Sequence, residues 1–282
     1  MDAPTIEVAR HAGVCYGVER ALSLALDAAA ADARACTLGP LIHNPIVVRE
    51  LEERGVTTAA SVPECAEGTI IIRAHGVVPE VIAEARERDL NVIDATCPYV
   101  KKVHMAAEKL VREGYQLVVV GESGHPEVEG ILGHAGSTAC VVSTPKEAAA
   151  LEVGRKVGVV VQTTQTPDAL AAIVDVLVRR CGELRVVNTI CAATQERQDS
   201  AAELASRVDV MVVVGGKNSG NTRRLSQICS ERCSATHHIE DAAELDAAWF
   251  AEARRIGVTA GASTPAAHIE RAVAAIGELA GA

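Results

Sequence analysis

The sequence has 282 residues, of which 49% are hydrophobic and 23% charged, and its formal net charge is -10. This length is enough for one large domain or two to three small ones with real cores, and the composition is that of a globular protein. The acidic balance argues against broad binding to nucleic acid or to an anionic membrane, so any anionic ligand must be met by local donors.

Two further features of the composition indicate a cytoplasmic protein without a membrane span. No apolar run approaches the roughly 20 residues that cross a bilayer, and the N-terminal Met-Asp-Ala-Pro lacks the basic and apolar regions of a signal peptide. The nine cysteines are odd in number, scattered, and contain no CxxC pair. This is a poor disulfide framework, so we expect reduced thiols and no zinc ribbon.

Strands and helices alternate along the chain, which is typical of an α/β fold with parallel sheets. The first part predicts strands over 5–9, 36–39, 69–73 and 92–93, and helices over 18–33, 46–54 and 79–88. The middle predicts helices over 100–112, 145–151 and 167–180, and strands over 117–120, 139–142, 157–161 and 185–187. The last part predicts a helix after residue 191, strands over 210–214 and 256–259, and a helix from 265 to the end.

One module recurs three times. In each copy a cysteine precedes a helix, and 24 residues later a glycine ends a strand, as in Cys15 to Gly39, Cys97 to Gly121 and Cys191 to Gly215. Four residues past these glycines stand His43, His125 and Ser219. We therefore predict three α/β lobes related by a pseudo-threefold axis, over residues 1–95, 96–189 and 190–282, with the C-terminal helix packing back on the first lobe.

Three lobes that face inward bring three cysteines together, and three thiolates can hold a metal centre with one position open. With zinc this is an open, hydrolytic type of site. With iron and sulfide it is a [4Fe–4S] cluster with three cysteine ligands, whose open iron can act as a Lewis acid and pass electrons. Thiolates are soft ligands that suit zinc and iron–sulfur clusters alike, so ligand type does not decide between the two. The other six cysteines suit small buried positions.

Neutral donors surround these cysteines in the predicted arrangement, and several precede helices, where phosphate groups are commonly held. They are His43, His75, His125, Thr163, Thr164, Ser219, Asn221 and Ser263. A small phosphorylated ligand fits an acidic protein better than a polyanion does. Glu127 is the one carboxylate in the set, and a carboxylate beside bound phosphate can carry a proton.

Nine motifs in the right order resemble the 4-hydroxy-3-methylbut-2-enyl diphosphate reductase (IspH/LytB) family, and they cover nearly the whole chain. They are the run from Gly13 to Ala21, Ile42-His43-Asn44, the run from Arg73 to Val77, the run from Asp94 to Pro98, the run from Gly124 to Gly130, Gln162-Thr163-Thr164, the run from Thr189 to Gln195, the run from Lys217 to Asn221, and the run from Gly261 to Pro265. Gly220 departs from the pattern, because serine often stands there, and one phosphate-facing hydroxyl is then absent.

The resemblance implies a trefoil of three α/β lobes around a [4Fe–4S] cluster held by Cys15, Cys97 and Cys191, with one open iron. It implies reductive loss of the allylic hydroxyl in the last step of the methylerythritol phosphate route, giving isopentenyl and dimethylallyl diphosphates. Ferredoxin or flavodoxin would supply single electrons. By the same resemblance, the diphosphate is bound by His43, His75, His125, Ser219, Asn221 and Ser263, with Thr164 assisting. Glu127 relays protons and Thr163 helps place the substrate hydroxyl.

Two other functions remain compatible with the residues alone. One is a three-cysteine zinc or iron–sulfur lyase that acts on a phosphorylated metabolite without net reduction. The other is a non-catalytic sensor that binds a phosphorylated ligand or responds through its cluster. Metal analysis after anaerobic purification separates zinc from iron–sulfur, and product analysis with a one-electron donor separates reductase from lyase.

Overall fold

The computed structural model of the chain describes residues 4–136 and 139–281, so Ala282 of the predicted last helix lies outside the described residues. The strands are β1 Thr5–Val8, β2 Ala35–Leu38, β3 Thr57–Ala59, β4 Thr69–Ile72, β5 Asn91–Asp94, β6 Gln116–Val120, β7 Cys140–Val142, β8 Lys156–Val161, β9 Glu183–Val186, β10 Val210–Val214, β11 Thr236–Ile239 and β12 Arg255–Ala260. The α-helices are α1 Tyr16–Ala31, α2 Pro45–Glu53, α3 Pro79–Glu87, α4 Pro98–Arg112, α5 Pro126–Ala135, α6 Pro145–Ala150, α7 Pro167–Val178, α8 Ala192–Ala205, α9 Gly220–Ser230 and α10 Ala266–Gly281.

The strands form three four-stranded sheets, and every strand pair in them is parallel. The first sheet has the order β3-β2-β4-β5, the second β7-β6-β8-β9 and the third β11-β10-β12-β1. Written this way, each strand has a counterpart at the same place in the other two sheets. The predicted class of three parallel α/β lobes is confirmed.

The central strands are short apolar runs because helices cover both faces of a parallel sheet. β4 (Thr-Ile-Ile-Ile) and β10 (Val-Met-Val-Val-Val) are buried along their whole length. Proline opens several of the covering helices, where its missing N–H is not needed, as in α4, α5, α6 and α7. None of the helices within the described residues is long and apolar enough to cross a membrane.

The chain divides into two compact units. One comprises Met1–Glu19, Ile42–Glu50 and Ala192–Ala282 and contains the third sheet, and the other comprises Arg20–Leu41 and Leu51–Cys191 and contains the first and second sheets. The N-terminal strand β1 pairs with β12, so that Ile6 faces Ile256 in register. α10 packs on the same apolar cluster as Ile6. The boundaries of the three lobes stay a prediction.

One expectation about the cysteines is wrong. Cys36 of β2 and Cys65, which ends a short 3-10 turn, form a disulfide across 29 residues of sequence, with a Cα–Cα distance of 6.6 Å. Both are buried in the apolar core of the first sheet. The expectation of reduced thiols fails here because the pairing of β2 with its neighbours brings two distant cysteines together, which an odd and scattered cysteine count does not reveal.

Candidate functional site

The three repeated cysteines occupy the same place in their sheets. Each follows the edge strand that pairs with a central strand, and each directly precedes a helix. Each backbone N–H donates to a carbonyl in the turn after that central strand: Cys15 to Ala262 (3.1 Å), Cys97 to Ala74 (2.9 Å) and Cys191 to Thr163 (3.1 Å). All three cysteines are half-buried. The threefold repeat of the sequence is therefore a threefold repeat of backbone geometry.

The donor chemistry of these turns fits an iron–sulfur group. Three cysteine thiols stand at helix N-termini, where the helix dipole favours a negatively charged ligand. Cysteine thiolates are the usual ligands of iron–sulfur clusters. Among the described residues no three His, Cys, Asp or Glu side chains converge on one point that would hold a single metal ion.

Two arginines hold the cysteine turns through backbone carbonyls. Arg20, on α1, donates to the carbonyl oxygens of Asp94 and Thr96, at 3.3 and 3.4 Å, just before Cys97. Arg197, buried on α8, donates from Nε and Nη2 to the carbonyl oxygen of Gly13, at 3.0 and 2.8 Å. Sequence reasoning missed both, because each contact joins segments far apart along the chain.

The unit with the third sheet contains four of the predicted binding residues. Ser219 is the N-cap of α9, and its Oγ accepts the N–H of Thr222 at 3.3 Å. Asn221 is 4% exposed, and neither atom of its side-chain amide has a hydrogen-bond partner among the described residues. Burying such a group unpaired costs about 1–3 kcal/mol. A polar ligand at this helix N-terminus would remove that penalty.

The other two predicted binding residues in this unit, His43 and Ser263, are joined by a hydrogen bond, and Asn44 bonds to Ser263 as well. The hydroxyl of Ser263 donates to the carbonyl oxygen of His43 at 3.1 Å, and the Asn44 side chain donates to the carbonyl oxygen of Ser263 at 2.8 Å. Asn44 Oδ1 accepts the N–H of Ile46 at 3.1 Å and so caps α2. Asn44 was not among the predicted site residues, although an asparagine before a proline-led helix is a recognisable N-cap signal.

Thr222 packs against two glycines at the ends of neighbouring strands in this unit. A Cβ on Gly261 would collide with Thr222 Oγ1, and a Cβ on Gly215 would lie 3.0 Å from the same atom. Gly215 also has a φ of +142°, which side chains rarely adopt. The turns before Ser219 and Ser263 therefore require glycine at both places.

We expect Gly261→Ala to lower the free energy of unfolding by roughly 1–3 kcal/mol through overpacking and to weaken binding of inorganic diphosphate. Urea unfolding and calorimetry measure the two effects. The double variant Gly261→Ala/Thr222→Ala should regain part of both, because it removes the clashing hydroxyl. Gly277→Ala is the matched control, since its Cβ would meet only Ile6 Cδ1 at 3.8 Å. Wild-type behaviour of Gly261→Ala would contradict the close packing.

The unit with the first and second sheets contains a buried carboxylate held by two hydrogen bonds. Glu127, in the first turn of α5, is 2% exposed. Its Oε1 accepts the backbone N–H of Thr163 at 2.7 Å, and its Oε2 accepts the Thr163 hydroxyl at 2.8 Å. Burial raises the pKa of Glu127 to about 7, and the two bonds from Thr163 oppose this rise. The carboxyl group can therefore hold or release a proton near neutral pH.

Two histidine rings meet at the start of α5, whose first turn contains Glu127. The rings of His75 and His125 meet edge to face, with centroids 5.7 Å apart. His125 Nδ1 accepts the N–H of Glu127 at 3.1 Å, so a neutral His125 carries its proton on Nε2 and can donate it to an anionic oxygen. Thr164 follows Thr163 in the same turn and is half-buried.

His104 is a further buried residue behind the His75 turn. Its ring lies where side chains at two glycines would stand, with Cε1 2.9 Å from a Cβ on Gly76 and Nε2 3.2 Å from one on Gly130. Burial, followed by the nearby charge of His134, lowers the pKa of His104 to about 4. A neutral ring thus packs between the turn of His75 and helix α5. The one sequence signal that could have identified His104 as a site residue is its place on the buried face of α4.

Comparison with known proteins gives consistent matches over nearly the whole chain. The family model described as LytB protein matches residues 6–277. The 4-hydroxy-3-methylbut-2-enyl diphosphate reductase of Pelobacter propionicus is 49% identical over 272 residues, covering 96% of this chain and 97% of that protein. The enzyme of the same name from Geobacter metallireducens is 46% identical over 274 residues, covering 97% of each chain.

Two solved structures have the same fold. One is (E)-4-hydroxy-3-methyl-but-2-enyl diphosphate reductase, described as the terminal enzyme of the non-mevalonate pathway, with a TM-score of 0.70, 46% identity, and coverage of 97% of this chain and 99% of that one. The other is E-1-hydroxy-2-methyl-but-2-enyl-4-diphosphate reductase from Plasmodium falciparum, with a TM-score of 0.92, 26% identity, and coverage of 97% and 88%.

Proposed function

This chain belongs to the LytB family, and we propose that it catalyses the reductive dehydroxylation of 4-hydroxy-3-methylbut-2-enyl diphosphate to isopentenyl and dimethylallyl diphosphates. The observation that carries the proposal is the threefold set of equivalent turns, each of which contains a cysteine directly before a helix. Three soft ligands of this kind suit a cofactor that transfers electrons, and polar turns of the same sheets suit a small diphosphate.

The overall reaction sets what the protein must supply. The allylic carbon–oxygen bond breaks, two electrons and two protons are consumed, and water leaves. One proton goes to the leaving oxygen, and the other goes to either end of the allyl group, which gives the two isomeric products. Without a protonated leaving group, hydroxide would have to depart, so a positioned acid lowers the barrier.

Seven residues supply donors to the diphosphate. They are His43, His75, His125, Thr164, Ser219, Asn221 and Ser263. The buried amide of Asn221 supports this role most directly, because it has no partner among the described residues. Neutral donors suit a diphosphate in a protein of negative net charge, since they bind it without requiring further cations.

Glu127 is the proton donor to the leaving oxygen. Its pKa of about 7 keeps a proton available near neutral pH. Thr163 fixes the orientation of the carboxyl group through its N–H and hydroxyl, and helps place the substrate hydroxyl. A fixed acid avoids the reorganisation that a mobile side chain would need at the moment of reaction.

Cys15, Cys97 and Cys191 are the residues that would hold a [4Fe–4S] cluster with one open iron. When bound, such a cluster supplies one-electron transfer and Lewis acidity. The electrons come singly from ferredoxin or flavodoxin, and the enzyme works in the cytoplasm. Neither nucleic acid nor a membrane is needed as a partner.

An anaerobic assay tests the function as a whole. The protein is purified without oxygen, incubated with the hydroxylated C5 diphosphate and a reduced viologen dye, and the products are separated by chromatography. Formation of both isomeric diphosphates with two electrons consumed per product is expected. Conversion without dye oxidation would identify a lyase, and binding without conversion would identify a sensor.

A further inference from the structure

The outer face of α4 combines exposed apolar side chains with positive charge beside the Cys97 turn. Tyr99 is 39% exposed and Met105 58% exposed, although both are large and apolar. Lys102 lies between them on the same face, with Nζ 5.1 Å from the centre of the Tyr99 ring. Exposed apolar groups that are grouped in this way commonly mark a surface for a protein partner.

The charge on this face is opposite to that of the whole protein. The chain has a net charge of -10, whereas α4 contains four cations and one carboxylate. Next to its start, Arg20 donates to backbone carbonyls of the Cys97 turn, and Lys101 pairs with Asp94 at 2.5 Å. A partner with a negative surface is therefore attracted here and repelled elsewhere.

The position along the helix adds a second argument, which rests on the proposed function. The reaction consumes two electrons that neither the substrate nor the side chains of this protein provide, so a donor must approach a cysteine that holds the cofactor. α4 begins directly after Cys97. At 1.5 Å per residue, Tyr99 and Met105 lie roughly 3 and 12 Å further along the helix.

We propose that this surface, formed by Tyr99, Lys102 and Met105, is the docking site of a small acidic one-electron carrier protein. The apolar groups provide the area that excludes water, and the lysine steers the encounter. The apolar groups and the lysine all lie within eight residues of Cys97 in the sequence. In the other unit, an exposed aromatic side chain likewise follows a repeated cysteine, because Tyr16 comes directly after Cys15 and is 64% exposed.

The test compares two electron donors on holoenzyme prepared without oxygen. One is a reduced viologen dye, which needs no docking surface, and the other is an acidic ferredoxin. In Lys102→Glu we expect turnover with dye to stay within about twofold of wild type. The KM for ferredoxin and the Kd of the ferredoxin complex should rise about tenfold, and their dependence on salt should weaken. Met105→Ser should raise the same Kd without changing the salt dependence.

Lys146→Glu is the matched control, because Lys146 is an exposed lysine on α6 and the charge change is the same. Unchanged ferredoxin binding in Lys102→Glu, or an equal loss in Lys146→Glu, would overturn the docking site. If wild-type protein showed no turnover with dye, the proposed function would fail instead. The Kd values would still decide the docking site, since complex formation is measured without turnover.

Discussion

Cys97→Ser is expected to leave the protein folded but to lower its activity by at least about 100-fold, more than the loss typical of residues that only support a metal ligand. A serine oxygen is a harder and more weakly ionised donor than a thiolate, so iron and sulfide should be held poorly. Iron and sulfide content per chain after anaerobic reconstitution, together with visible absorption, measures the loss independently of activity. The same result is expected for Cys15 and Cys191, because the three turns are equivalent.

Cys181→Ser provides the matched control for this prediction. Cys181 is also a half-buried cysteine, but it stands in no repeated turn, and its Sγ lies 3.3 Å from the carbonyl oxygen of Leu177. We expect it to keep full iron content and activity. Full cluster content in Cys97→Ser would refute the ligand assignment, and a colourless wild-type protein with one zinc per chain would refute the cluster.

The positions of the three cysteine turns could be predicted because they depend on local order along the chain. A strand, a turn and a helix recur in the same sequence register, with 24 residues between cysteine and glycine. The three equivalent glycines also make equivalent hydrogen bonds in the structure. Each backbone N–H donates to the carbonyl oxygen of the last residue of the neighbouring edge strand: Gly39 to Ala59, Gly121 to Val142 and Gly215 to Ile239.

Two edge strands could not be predicted, because their sequences carry no strand pattern. β3 is Thr-Thr-Ala with two exposed residues, and β11 is Thr-His-His-Ile with one buried residue. Pairing with β2 and β10 makes these segments strands. Likewise, the pairing of β1 with β12 joins the two ends of the chain, and no periodicity within either segment specifies that partner.

The same limit applies to contacts inside the candidate site. Sequence motifs identify Glu127 and Thr163 separately, but the hydrogen bonds between them depend on the pairing of β6 with β8, which places their following turns side by side. Arg20 and Arg197 were missed for the same reason, whereas for Asn44 only the bond to Ser263 was hidden from the sequence. Residue types and turns can thus be inferred from the sequence, whereas the partner of each side chain requires the sheet order.

Glu127→Gln is the second substitution with a large expected effect. We expect kcat to fall roughly 10²- to 10⁴-fold, which is the usual contribution of a positioned acid or base. The substitution keeps the shape of the side chain. Its oxygen can still accept the Thr163 N–H, and its amide can donate to the Thr163 hydroxyl, which reverses direction. The loss should therefore appear in kcat, with little change in iron content or in binding of the diphosphate.

Glu129→Gln is the matched control on the same helix. Glu129 is exposed and accepts the N–H of Gly124 at 3.2 Å, so removing its charge should change kcat less than about twofold, as for most surface positions. Both variants are assayed with saturating dye and substrate, so that electron supply does not limit the rate. Equal activity of Glu127→Gln and wild type would show that the proton comes from another group.

The pH dependence of kcat distinguishes proton donation from a role in packing. Since burial raises the pKa of Glu127 to about 7, the carboxyl group is protonated below that pH and loses its proton above it. A donor must be protonated, so wild-type kcat should be level below about pH 7 and fall tenfold per pH unit above it. In Glu127→Gln this decline should disappear from the residual activity, because glutamine does not titrate. A merely structural glutamate would leave the decline in place, since the group that causes it would still be present.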